Sequence, residues 1–217
     1  MTAYTPHELE VSYTGQYPDM VEFEKPWETS IQVGQGQGKV SKDGKPLQSE
    51  GFSKCFGLIL RNSSNLESAL FHVDDIDLTH RQTPIVDELI RNYVDSLDLD
   101  PREKNRLLEL VSAATRYWNP NSFADRGYNG GERQYLKDRM TELNSEETIQ
   151  ACFIRGDDSR DVRSRIVDCP LSYLGVNVVD DLVVNTGRQH WSMVYKPNEA
   201  RIYIDARNQK RVLKFTF

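Results

Sequence analysis

Two residues in one short apolar stretch have types suited to covalent chemistry: Cys55 in "GFSKCFGLIL" and His72 in "SALFHVD". A cysteine thiolate attacks carbonyl carbon, and an imidazole within reach can take the thiol proton or lower the thiol pKa. Together they make a candidate for thiol-based acyl chemistry, in which an amide or carboxamide is attacked, a thioester forms, and water releases it. Either residue alone reads as core, because free cysteine is among the most buried residue types and packs as a small hydrophobe. Their placement is what points to chemistry. Each lies on a short apolar run bounded by turn residues, and "RNSSN" joins the runs, which predicts an antiparallel hairpin. Cys55 opens the first run and His72 lies late in the second. Both fall toward the open end, where facing side chains approach within about 5 Å. Lys54 adds positive charge beside the thiol. The segment "SEGFSK" ahead of Cys55 reads as a turn of glycine and small polar residues, able to aim backbone N–H groups at a developing oxyanion.

In chain order, "IQVGQG", "KVSKDGKPL", "GFSKCFGLIL", "RNSSN" and "SALFHVD" are strand, glycine-rich turn, nucleophile segment with its apolar strand, turn, and histidine strand. This order resembles the CheD family, the chemoreceptor glutamine deamidases of bacterial chemotaxis. The separation of 17 residues from Cys55 to His72 is similar to that family's, and Ser49 keeps a hydroxyl where the family has a threonine six residues before its cysteine. The family's Gly-Ser-Cys motif here reads Ser53-Lys54-Cys55. A looser likeness covers "VVDDLVVNTGRQHWSMVYKPNEARIYI", where Asp180, Gly187, Arg188 and a closing hairpin match the family's late segment. The same catalytic core occurs in the cytotoxic necrotizing factors, bacterial toxins that deamidate host glutamines.

The resemblance implies a protein-glutamine deamidase. Cys55 would attack the carboxamide of a partner protein's reactive glutamine, His72 would carry the proton to the departing ammonia, and Ser49 would orient His72 or the substrate amide. It implies no metal or cofactor. Two readings stand beside it. The first is a papain-like cysteine protease built from Cys55, His190 and Asp205, because "QHWSMVYKPNEARIYIDAR" places a histidine before one strand and an aspartate at the end of the next. That class sets its cysteine at a helix N-terminus, whose dipole lowers the thiol pKa, whereas "CFGLIL" has β character. The second is a non-catalytic binding protein on the same fold.

The elements that must position these residues follow from periodicity and turn chemistry. Residues 1–28 read as an N-terminal arm, and residues 29–217 as a single deamidase-like domain with a helical insertion around 83–147. In that insertion "TPIVDELIRNYVDSL" starts at Thr83 as a cap with Pro84 next. "DPREKNRLLELVSAATRYW" starts at Asp100 with Glu103 three residues on, a capping-box pattern. "RQYLKDRMTELNSEE" makes a third helix. "TIQACFI", "DLVVN" and a hairpin turning at Lys196–Glu199 supply further strands, with one short helix among them. Strands at both ends and helices between them predict an α+β fold, a mostly antiparallel sheet sandwich packed with helices, in keeping with a CheD-like architecture.

Composition narrows the alternatives. At 217 residues the chain suits one sizeable core. A net charge of −6 argues against a nucleic-acid binder, which needs a basic face. Nothing approaches eighteen consecutive apolar residues, so no membrane-inserted helix is expected. The N-terminus lacks the basic start and apolar core of a signal peptide, so a cytoplasmic protein is expected, with export into a host cell as an effector the variant of that reading. Three widely spaced cysteines, Cys55, Cys152 and Cys169, make neither a disulfide framework nor a zinc site, and Cys152 and Cys169 read as core. The glycines of "VGQGQGKV" satisfy neither the P-loop nor the dinucleotide pattern, since Val40 and Lys39 stand at required positions. Asp74, Asp75 and Asp77 read as a solvated strand end rather than a cation site.

Overall fold

The structure, a computed structural model, describes residues 29–74, 78, 81–117, 130–156, 170–184, 190–206 and 209–214. The N-terminal arm, Cys169, Asp75, Asp77 and the Gly187–Arg188 pair lie outside the described residues.

The chain opens with β1 (Ile31–Val33), β2 (Gly38–Ser41) and β3 (Leu47–Phe52), followed by the predicted hairpin of β4 (Phe56–Asn62) and β5 (Ser68–Val73). Three helices come next, α1 (Thr83–Ser96), α2 (Pro101–Tyr117) and α3 (Gly130–Leu143). The chain returns through β6 (Ile149–Gly156), the short α4 (Pro170–Tyr173) and β7 (Asn177–Val184). It ends with β8 (Trp191–Lys196), β9 (Arg201–Ala206) and β10 (Gln209–Lys214). The turn between β8 and β9 is a single 3-10 turn over Pro197–Glu199, where the sequence places it.

Two five-stranded sheets result. One runs β1-β3-β8-β9-β10 and the other β2-β5-β4-β6-β7. Among the described strands the β1/β3 and β6/β7 pairs are parallel and the other pairs antiparallel. The α+β expectation therefore holds. Side-chain alternation along the strands divides the core in two. Phe56, Leu58, Leu60, Ala69, Phe71 and Val73 point toward the helices and pack with Val86, Leu89, Ile90, Leu107 and Leu136. Ile59, Leu70, Cys152 and Ile154 point the other way, against Leu47, Phe52, Trp191, Met193 and Ile204 of the first sheet. The layers are thus sheet, sheet, helices, with β4 and β5 buried on both faces. This explains why their sequences are continuous apolar runs instead of alternating ones. Among the described residues no helix is long and apolar enough to cross a membrane.

Two helix starts differ in detail from the sequence expectation. The residue capping α1 is Gln82, not Thr83, and its side chain makes no capping bond. Instead Gln82 Nε2 reaches down to the His72 carbonyl at 3.0 Å and the Gln37 carbonyl at 3.3 Å, tying the first turn of α1 to β5. At α2, Asp100 Oδ1 does accept from the backbone N–H of Arg102 at 2.9 Å and Glu103 at 3.4 Å. Glu103 does not complete the box. Its carboxylate pairs with Arg139 of α3 at 2.6 Å, so the residue links two helices.

Candidate active site

The candidate residues gather where the chain passes from one sheet to the other. β3 ends at Phe52 in the first sheet, and β4 starts at Phe56 in the second. Cys55 is the last residue of the crossing. The predicted "SEGFSK" turn is shorter than expected, because Ser49, Glu50, Gly51 and Phe52 belong to β3, and only Ser53 and Lys54 form the bend. β3 carries an irregularity between Ser49 and Phe52 in its pairing with β8, with Gly51 at φ 78°, a conformation glycine adopts without strain.

The β4/β5 register places Gly57, not Cys55, directly opposite His72, and Phe56 opposite Val73. Cys55 is therefore diagonal to His72 on the same face of the hairpin, a relation that spans about 7–8 Å between backbones, and no hydrogen bond joins the thiol to the imidazole. The glycine at the directly opposed position makes way for Met193 of the facing sheet. A Cβ on Gly57 would lie 2.8 Å from Met193 Sδ of the facing sheet.

His72 is fully buried at 0% exposure, and its surroundings define its tautomer. Ser49 Oγ lies 2.9 Å from His72 Nδ1 and 2.7 Å from the Val33 carbonyl oxygen. A carbonyl can only accept, so the single hydroxyl hydrogen goes to Val33 and the serine oxygen accepts from Nδ1–H. The lone pair is then on Nε2, which is buried and has no hydrogen-bond partner among the described residues. The ring is clamped flat against Phe52, with centroids 3.9 Å apart and planes 14° from parallel, and Phe52 stacks in turn on Trp191 at 4.2 Å. Backbone bonds hold the strand as well. His72 N donates to the Gln37 carbonyl at 2.9 Å and the His72 carbonyl accepts from Gly36 N at 3.0 Å.

Cys55 is 8% exposed and a free thiol. Burial pushes its pKa up; a hydrogen bond from the Ser53 backbone opposes this, and the Asp74 carboxylate raises it further. Burial lowers His72 to about 4, with Asp74 pulling the other way. At neutral pH the resting pair is thus thiol and neutral imidazole, not a thiolate–imidazolium ion pair. Lys54, expected to supply positive charge, is exposed, and the charge that acts on the thiol is the carboxylate of Asp74.

Sequence reasoning missed Gln35, whose Nε2 lies 4.0 Å from Cys55 Sγ. Nothing in "VGQGQGKV" distinguishes it from Gln37; only the fold of the turn does. The residues of the protease reading are placed differently. His190 is exposed just ahead of β8, and Asp205 pairs with Ser192 in the β8/β9 ladder. Cys152 is fully buried in the layer between the sheets, as expected of a core cysteine. Among the described residues no group of His, Cys, Asp and Glu side chains is arranged to hold a metal ion.

No family model matches the chain, and no curated protein matches it.

Proposed function

We propose that this protein is a cysteine-dependent hydrolase acting on carboxamides, a protein-glutamine deamidase of CheD-like type, with Cys55 as nucleophile, His72 as general base and acid, and Ser49 as the residue that orients His72. One observation carries the reading. Ser49 holds the Nδ1–H tautomer of a buried histidine while leaving its Nε2 lone pair unpaired on the strand face that Cys55 shares. A buried polar atom without a partner is uncommon and calls for a reason. A base awaiting a proton supplies one.

The chemistry follows from the neutral resting pair. A glutamine carboxamide reaches Cys55, and Sγ attacks the carbonyl carbon as the thiol proton passes to His72 Nε2. The imidazolium so formed sits beside the new negative charge, which makes Nε2 more basic than at rest, while Asp74 supports the charged ring throughout. The proton then goes to the leaving nitrogen, ammonia departs, and water attacks the thioester with His72 again as base, leaving glutamate. Backbone N–H groups at the Ser53–Cys55 bend would serve as donors for the oxyanion.

The test is ammonia release and glutamine-to-glutamate conversion in glutamine-bearing polypeptides. Cys55→Ser and His72→Ala should each lower the rate by about a hundredfold or more, and His190→Ala should leave it unchanged. Peptide-bond cleavage abolished by His190→Ala would instead establish the protease. Full activity in His72→Ala would refute the proposal outright.

A further inference from the structure

The turn after β1 places one of this chain's own carboxamides at the candidate nucleophile. Gln35 Nε2 is 4.0 Å from Cys55 Sγ, and among the described residues the Gln35 side chain makes no other hydrogen bond. The neighbouring glutamines are engaged elsewhere. Gln32 bonds Ser30 and Gln48, and Gln37 Oε1 accepts from Gly34 N. The position of Gln35 is also imposed by the backbone. The turn closes through Gln37 N to the Gly34 carbonyl at 3.0 Å. It is pinned to the histidine strand by Gly36 N to the His72 carbonyl and by His72 N to the Gln37 carbonyl. Gly36 at φ 67° completes the turn, and a Cβ there would lie 3.2 Å from Asp74 Oδ2. Gln35 is exposed while the thiol beneath it is 8% exposed, so its amide group stands at the mouth of the site.

We propose that Gln35 is a self-modification site, converted by Cys55 to glutamate within the same chain. This rests on the deamidase reading and names its first substrate. The Gln35 amide presents its nitrogen to the sulfur. Rotation about its last side-chain torsion, which is broad for a terminal carboxamide, turns the face of the amide toward Sγ, and rotation about the preceding torsion brings Cδ to the sulfur. Sγ then bonds to Cδ as the thiol proton moves to His72 Nε2. The Cδ–Nε2 bond of Gln35 breaks, and the nitrogen leaves as ammonia with the proton from His72. Water adds to the thioester, its proton passing through His72 back to the thiol. The Gln35 carboxamide and water become a side-chain carboxylate and ammonia, with no change of oxidation state. A tethered carboxamide needs no encounter step, so this reaction precedes turnover of any external glutamine. The product limits the enzyme. A carboxylate at position 35 joins Asp74 beside Cys55, and two negative charges oppose thiolate formation.

The experiment is tandem mass spectrometry of the full chain incubated in oxygen-labelled water, read at Gln32, Gln35 and Gln37 of one proteolytic peptide. Ammonia release from an unfolded glutamine-rich polypeptide is followed in parallel. The proposal expects acid conversion with label at Gln35 in the wild-type chain, none at Gln32 or Gln37, and none anywhere in Cys55→Ser or His72→Ala. Gln35 left intact while ammonia is released from the added polypeptide overturns self-modification and leaves the deamidase standing. Equal conversion of Gln35 in Cys55→Ser makes the reaction spontaneous and also overturns it. Silence in both assays removes the deamidase reading, and the proposal with it.

Discussion

Replacing Ser49 by alanine separates a serine that positions the base from one that merely fills the core. Ser49 is 1% exposed and sits between a donor and an acceptor, His72 Nδ1–H at 2.9 Å and the Val33 carbonyl at 2.7 Å. Removing the hydroxyl strands both buried groups, and each costs about 1–3 kcal/mol, so the folded state should lose roughly 2–6 kcal/mol. The catalytic effect has a separate origin. Without the serine oxygen nothing favours the proton on Nδ1, and losing a hydrogen bond worth about 1–1.5 kcal/mol lowers the ratio of the reactive tautomer to the other about tenfold, and its share by up to that factor. Some loss of ring orientation adds to this, so kcat for ammonia release should fall about tenfold to a hundredfold with KM little changed. Urea unfolding monitored by the tryptophans gives the first quantity, and steady-state ammonia release at a temperature where the variant is folded gives the second. A Ser49→Ala protein with a lowered urea midpoint and wild-type kcat would show that the serine is structural and that the tautomer argument fails. Wild-type values for both would show that the buried bonds do not exist in solution.

Three further outcomes are expected. His72 should make stability fall in acid. Its proton affinity drops from 6.5 in the unfolded chain to about 4 in the fold, so between these values the unfolded state binds more protons. The contribution is complete above pH 6.5 and is lost as pH falls toward 4, amounting to about 3 kcal/mol at most. The difference between wild-type and His72→Asn unfolding free energies measured from pH 7 to 4 isolates it from the carboxylates, and a flat difference removes the burial argument. Asn144 should be among the most sensitive structural positions. It is 2% exposed, donates to the Ile149 and Gly175 carbonyls at 2.9 and 2.8 Å, and accepts from Ile149 N at 2.8 Å. Asn144→Ala should cost about 3 kcal/mol or more by leaving three buried backbone groups unpaired. A loss under about 1 kcal/mol by denaturant titration would mean that water replaces the side chain there. The Cys55 thiol should also react more slowly with iodoacetamide at neutral pH than an exposed cysteine, because burial and Asp74 both raise its pKa. A rate above that of a free thiol would mean that the imidazole and thiol form an ion pair, against the neutral pair described above.

Much of the architecture was legible in the chain. The hairpin of β4 and β5 was readable because two apolar runs flank "RNSSN". The β8–β9 hairpin was readable because Pro197 and Asn198 interrupt two alternating runs. The helices announced themselves through Pro84 and the Asp100–Pro101 pair. What local patterns could not carry was register and sheet membership. The parallel pairings β1/β3 and β6/β7 join segments with no local signal for one another. Whether Cys55 faces His72 directly or diagonally depends on a register shift of two residues, which leaves the alternation of faces along both strands unchanged and so leaves no mark in the sequence pattern.

For the site, the residue types Cys55, His72 and Ser49 and the offsets between them were in the sequence, because a hairpin brings near neighbours together by local turn chemistry alone. The tertiary structure decided their protonation and their company. The Nδ1–H tautomer depends on Val33, Ser49 and His72 meeting from three strands in two sheets. The neutral thiol depends on burial between those sheets and on Asp74, and Gln35 reaches Cys55 only because its turn is hydrogen-bonded to the histidine strand. Proton affinity and carboxamide placement depend on the surrounding dielectric and on distances across the fold. Neither is a property of a residue or its chain neighbours, so only the packed sheets determine them.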